Sequence, residues 1–256
     1  MAAKKVTTTQ INNWDEELAT QATVAAKSAA KNASAGNTFS TAGGILKFGG
    51  APVPDNQIDA IILAGIASNA YYEGAWDPKS VSSPACFAFD PADDAEMAPH
   101  SASTKPQSDT CATCPKSQWG SAGGTSNAKA CKNQRKLSLV PAGFIEGDKF
   151  KFSSAADLAQ LAGGVLTVPP TSTRAYDAYV KTLAATRRRP PFAVATRITV
   201  VPGTPFTMTF DFLGDVPSAL LGPLVERRAV AEAELRTPYS PNAPVVASAV
   251  KARKKF

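Results

Sequence analysis

The chain has 256 residues, 27 Lys+Arg against 21 Asp+Glu, and a formal charge of +6. Hydrophobic residues make up 44% and charged residues 19%, so the bulk is globular, with enough chain for one large domain or two small ones. The longest apolar run, Ile58–Ala67, is interrupted by Asp59 and Gly65 and is far shorter than the ~20 residues that span a bilayer. The opening MAAKKVTTTQINNWDEEL has lysines but no apolar stretch after them, so a secretory signal is not expected and a cytoplasmic protein is.

Residues 12–31 carry Trp14, Leu18 and Ala25 at helical spacing, after Ile11, and predict a short amphipathic helix. NASAGNTFSTAGG (32–44) reads as a linker, so residues 1–43 form a helical extension. GGILKFGG is a short strand between glycines, and APVPDN a turn. QIDAIILAGIASNAYYEG reads as a long strand, with a buried helix over 57–69 as the competing reading. Residues 76–136 hold few apolar side chains and many Pro, Ser, Gly, Asp and Cys; a loop of that length needs something other than a core to hold it. RKLSLVPAG and DKFKFSS are strands. SAADLAQLAGG is a helix with Ser154 as N-cap and Gly163 as the residue just past its end. VLTVPP is a strand. STRAYDAYVKTLAATRRR is an amphipathic helix with Tyr176, Tyr179, Val180 and Leu183 on one face. ATRITVVPG pairs with PFTMTFDFLG, where Phe206, Met208, Phe210 and Phe212 alternate. Residues 223–236 are a last helix, and residues 239–256 a tail with a basic end.

Cys86, Cys111, Cys114 and Cys131 are the only cysteines, spaced C-x24-C-x2-C-x16-C. A CxxC pair places two thiolates on one turn, as tetrahedral zinc requires, and two more ligands close the loop. Two disulfides need an oxidising compartment, a thioredoxin-type CxxC needs a βαβ setting, and independent buried cysteines do not suit so polar a segment. Structural Zn²⁺ on all four is the expectation; His100 in place of Cys86 is the alternative ligand set. Four protein ligands leave no open coordination position, so the metal is structural.

The same segment carries Lys116, Trp119, Lys129, Lys132, Arg135 and Lys136, with Tyr71, Tyr72 and Trp76 ahead of it and Phe87 and Phe89 inside it. Aromatic planes interleaved with cations are how single strands are held: bases stack and Lys/Arg follow the phosphates. The competing reading has the aromatics closing the sheet core. Arg187, Arg188 and Arg189 end a helix, where cations also answer the helix dipole. No GxxxxGK[ST], no GxGxxG after a strand and no HExxH is present, and the acidic DPADDAEM segment (Asp90, Asp93, Asp94, Glu96) reads as a solvated loop. The protein is not expected to be an enzyme.

YYEGAWDP, CFAFD, MAPHSASTKPQS, CATCPKSQWGSAGG and AKACKNQRKLSLVP, with LTVPPTSTRAYDAYVKTL and VATRITV beyond them, resemble a family of tailed-phage and prophage proteins. In that family a zinc-binding loop is inserted into a small β-domain similar to phage single-stranded DNA-binding proteins. The resemblance covers residues 44–238. It implies an α+β fold: a five-stranded OB-like β-barrel with peripheral helices and a zinc loop at 77–136. It implies zinc stiffening one wall of a DNA cleft, as in the T-even phage protein, whose site mixes His and Cys. It implies a single-stranded DNA-binding protein of phage replication or recombination in the host cytoplasm, with phage replication proteins as further partners and no membrane partner. The basic KARKKF end departs from the acidic tails of many such proteins. A zinc-stabilised structural or adaptor protein of the virion or replisome is the alternative, and a metal nuclease a more distant one.

Overall fold

The computed structural model describes residues 38–74, 82–91, 95–146, 149–161 and 163–239, together with Gln21. The chain divides into two compact units, Met1–Gly36 and Asn37–Phe256, and all the elements below belong to the second. Apart from Gln21, the helix expected over 12–31 lies outside the described residues, as do Trp76 and the tail beyond Tyr239.

A six-stranded antiparallel sheet is built from β4 (Gln57–Tyr71), β5 (Cys86–Phe89), β6 (Lys132–Pro141), β9 (Gly164–Val168), β10 (Val194–Val201) and β11 (Thr207–Asp215). Its order is β11-β10-β4-β6-β9, and β5 pairs with β4. β10 and β5 share one edge of β4 end to end: Thr196–Thr199 lie opposite Gln57–Ala60, and Cys86–Phe89 opposite Ser68–Tyr71. β1 (Phe39–Ser40), β2 (Lys47–Phe48) and β3 (Ala51–Pro52) form a small sheet, and β7 (Gly143–Glu146) and β8 (Lys149–Phe152) a hairpin.

Helices cover both faces of the large sheet. On one face α2 (Thr173–Arg187) buries Tyr176 against Ala60, Ile62, Leu137, Leu139, Ile198 and Phe210. On the other, α1 (Ala155–Gln160) and α3 (Ser218–Leu235) pack Leu158, Leu220 and Leu224 onto Ile61, Leu63, Ile66 and Val140. Two covered faces explain why β4 alternates so poorly in sequence: both sides are apolar, as in strands buried between helix layers. A register shift between Ile62 and Ala64 adds to this, because one extra residue carries the pattern to the opposite parity. The strand reading of residues 57–71 holds over the helix reading.

The α+β class holds as expected, with an open sheet in place of a barrel. Among the described residues β9 and β11 are edges that do not meet, so no five-stranded barrel closes. The physical reason is the apolar second face: a barrel fills its inside with its own side chains, whereas this sheet buries each face under a separate helix layer.

Local signals worked where they were local. Ser154 caps α1 in a reciprocal capping box, accepting from the Asp157 amide at 3.1 Å while the Asp157 carboxylate accepts from the Ser154 amide. Gly163 does not end that helix, however. α1 stops at Gln160, and the Arg227 guanidinium of α3 donates to the Leu158 and Leu161 carbonyls, satisfying groups that a glycine cap otherwise serves. α3 begins at Ser218, earlier than expected, and takes Pro223 inside it.

Candidate metal centre and nucleic-acid interface

β4 and β6 deliver the first parts of the site. Cys86 opens β5 directly across from Tyr71, and Cys131 stands immediately before β6. Cys111 and Cys114 come from the loop between β5 and β6. That loop is tied down by backbone bonds at each cysteine: Cys111 N–H to the Met97 carbonyl at 2.8 Å, Ser117 N–H to the Cys114 carbonyl at 3.0 Å, and Cys131 N–H to the Lys116 carbonyl at 2.8 Å. All four cysteines line one small pocket, together with Asn69 and Tyr71. None is joined in a disulfide.

Across residues 95–131 the only buried side chains are Cys114 and Cys131. The loop has no apolar core of its own, so its conformation depends on whatever the cysteines do together. Burial, and then the neighbouring Cys111, Cys114 and Cys86 thiols, push the Cys131 thiol up to about 12. Burial also raises Cys111, while the Asn69 side chain, hydrogen-bonded to it, works in the opposite direction. Asn69 in turn accepts from the Asn133 amide at 2.7 Å and donates toward the Met97 sulfur at 3.1 Å. Among the described residues no group of three or more His, Cys, Asp or Glu is assembled in ligating geometry. The test of fit rests on the donor set, which is four cysteines in one pocket, the soft ligands that suit tetrahedral zinc. His100 does not line that pocket. Its ring stacks on Phe87 at 5.0 Å, and its Nδ1 accepts from the Ala102 amide at 3.0 Å.

The expected nucleic-acid residues separate into two groups. Tyr71 lines the cysteine pocket with the Lys116 ammonium 5.3 Å from its ring centroid. Trp119 is 73% exposed, far beyond any core role, with the Lys129 ammonium 5.2 Å from its ring. Lys132 is exposed at the start of β6. These side chains cluster around the cysteine loop.

Of the rest, Arg135, Lys136 and Arg187 are engaged within the fold. Arg135 forms a two-pronged pair with Asp177 of α2, both bonds 3.1 Å. Lys136 points to the opposite face, donates to the Leu235 carbonyl at 3.0 Å and lies 4.7 Å from the Phe89 ring and 5.1 Å from the Tyr239 ring; burial lowers it to about 8. Tyr72, on that same face beside Tyr239, stays 38% exposed, and partial burial raises it to about 12. Arg187 lies over the Phe212 ring at 3.4 Å, with Asp215 at 3.9 Å. Arg188 is exposed in the left-handed conformation that ends α2, and Arg189 is half-buried. Of the acidic segment, Asp93 and Asp94 lie outside the described residues, and Asp90 is 3.9 Å from Arg236.

Sequence reading missed Asn69, whose signal is a carboxamide inside an apolar strand. It also missed Arg174 and Lys181 of α2, exposed and seven residues apart. Among the described residues no helix is long and apolar enough to cross a membrane. Fold and site together define an α+β protein with a cysteine-lined loop at one end of a helix-flanked antiparallel sheet. No family model, no curated protein and no solved structure matches the chain.

Proposed function

We propose that the protein is a non-enzymatic single-stranded DNA-binding protein of a bacteriophage, acting in replication or recombination in the host cytoplasm, with one structural Zn²⁺ held by Cys86, Cys111, Cys114 and Cys131. The observation that carries the reading is the convergence of all four cysteines on one pocket, three of them from a loop that over residues 95–131 buries only Cys114 and Cys131 and presents an exposed Trp119 beside Lys129. Bound zinc supplies four strong bonds in place of a core, since a preformed site is absent from the unfolded chain and its binding energy becomes folding energy. The chain's own contribution is the Asn133–Asn69 relay, which orients an amide toward Cys111, and the backbone bonds that fix each cysteine's turn. Tyr71 with Lys116, and Trp119 with Lys129, then offer ring faces flanked by cations, the combination that stacks bases and follows phosphates with little sequence preference. The kinship with phage single-strand-binding proteins belongs to the same proposal, with the zinc loop inserted between β5 and β6.

The test is a fluorescence-anisotropy titration of a labelled dT oligomer with zinc-loaded full-length protein and with protein stripped by a chelator. Binding that is lost with the metal and restored by added zinc supports the reading. Zinc-loaded protein that leaves the oligomer's anisotropy unchanged refutes it and favours a structural or adaptor role.

A further inference from the structure

The two helix layers of the sheet differ in charge. α3 carries Glu226, Glu232 and Glu234 against Arg227 and Arg228, and both arginines are engaged: Arg227 on the α1 carbonyls, Arg228 on Glu232 at 2.7 Å. α2, with its C-cap, carries Arg174, Lys181, Arg187 and Arg188 against Asp177 alone. That one acid is taken by Arg135 from the sheet, and Arg187 lies on Phe212. Arg174, Lys181 and Arg188 are exposed, and among the described residues none makes an ion pair or a side-chain hydrogen bond. An ordinary solvated helix face mixes signs at i, i+4, as α3 does. This one does not.

Spacing relates the three. Arg174 and Lys181 are seven residues, two turns, apart, so they share one side of the helix about 10.5 Å from each other, and Arg188 follows seven residues on at the left-handed C-cap. The side that Arg174 and Lys181 share, with Asp177 between them, borders a cleft over β4. Asp177 and Lys181 line a cleft of about 420 Å³ whose floor is Gly65, Ile66 and Ala67 of β4. Side chains alternate along a strand, so Gly65, which lies against the Tyr176 hydroxyl, shares its face with Ala67, Asn69 and Tyr71. Tyr71 carries Lys116. The Arg174–Lys181 side of α2 and the Tyr71–Lys116 pair therefore open onto one face, about 20 Å apart along β4. Gly65 and Ala67 keep the floor between them low. The two acids in the cleft wall, Asp177 and Asp90, each have an arginine partner.

We infer that Arg174, Lys181 and Arg188 form a track for the sugar-phosphate backbone of single-stranded DNA, which crosses the α2 face of the sheet from the metal loop. The inference rests on the single-strand reading above and specifies its binding face. The track takes phosphates in a line and reads no base; the bases stack at Tyr71 and Trp119.

The experiment compares full-length, zinc-loaded parent with the triple variant Arg174→Gln, Lys181→Gln, Arg188→Gln, titrating a labelled dT oligomer between low and moderate salt. The three side chains are exposed and unbonded, so melting of the variant should match the parent. Loss of three phosphate contacts should flatten the slope of log K against log salt by about 2 and weaken low-salt binding by about tenfold or more. Trp119→Ala, run alongside, should lose affinity with the slope unchanged. If the triple variant keeps the parental slope while Trp119→Ala loses affinity, the track is wrong and the single-strand reading stands. If the parent itself does not bind, the reading beneath the track has failed.

Discussion

Lys136→Met isolates a cation that sequence reading assigned to DNA and the structure assigns to the fold. The ammonium is half-buried between Phe89 and Tyr239 and donates to the last carbonyl of α3. Burial lowers it from 10.5 to about 8. At about 1.4 kcal/mol per tenfold change in proton affinity, that is a ceiling of about 3 kcal/mol against the charged folded state. Its residual exposure screens part of this, leaving about 1–2 kcal/mol. Because the folded-state value is depressed, the cost is present in full below about pH 8, where both states are charged. It fades as pH rises toward 10.5, where the unfolded chain also loses the proton. Removing the hydrogen bond to Leu235 costs the variant about 1 kcal/mol at every pH. Urea denaturation of parent and Lys136→Met from pH 7 to 10.5 should show their difference moving by about 1–2 kcal/mol in favour of the parent as pH rises. Affinity for a dT oligomer at pH 7 should be unchanged. A pH-independent difference, or a clear loss of affinity in the variant, refutes the placement of Lys136 as a structural cation.

Cys114→Ser should release the zinc, read by metal analysis, and raise amide exchange across residues 95–131 while the β4–β6 amides stay protected, since that loop buries little besides cysteine. Trp119→Ala should cost about 1–3 kcal/mol of oligonucleotide affinity and leave the melting temperature in place, because the indole is 73% exposed. Arg187→Ala should lose about 0.5–1 kcal/mol of stability through its stack on Phe212, whereas Arg188→Ala should lose none, a contrast visible in thermal melts of the two variants.

Much of the second half of the chain was readable in sequence because its signals are local. The Ser154 capping box, the Tyr176–Leu183 stripe and the Phe206–Phe212 alternation each lie within one element. β5 escaped because CFAF is four residues long and sits in a Pro/Ser-rich stretch; only pairing to Ser68–Tyr71 makes it a strand. Whether the sheet closes could not be read at all, because it depends on which helices cover which face. The site divides in the same way. The cysteine spacing was legible in one respect, since all four cysteines do meet in one pocket. The fates of Arg135 and Lys136 were not, because Asp177 and Leu235 meet them from 42 and 99 residues away. The α2 cations had a signal in their seven-residue spacing, but only the structure shows that Lys181 borders the cleft over β4.

The central claim is that the α2 face and the zinc-ordered loop together hold single-stranded DNA through phosphates and stacked bases. The most direct test is the salt dependence of binding by the zinc-loaded parent, followed by tryptophan emission with unlabelled dT oligomer and with duplex of the same length. The account predicts preference for the single strand, quenched emission, and a log–log slope near −0.7 for each phosphate held, hence steeper than about −2 with the three α2 cations and the loop lysines engaged. Equal binding to duplex, or a slope near zero, would contradict it.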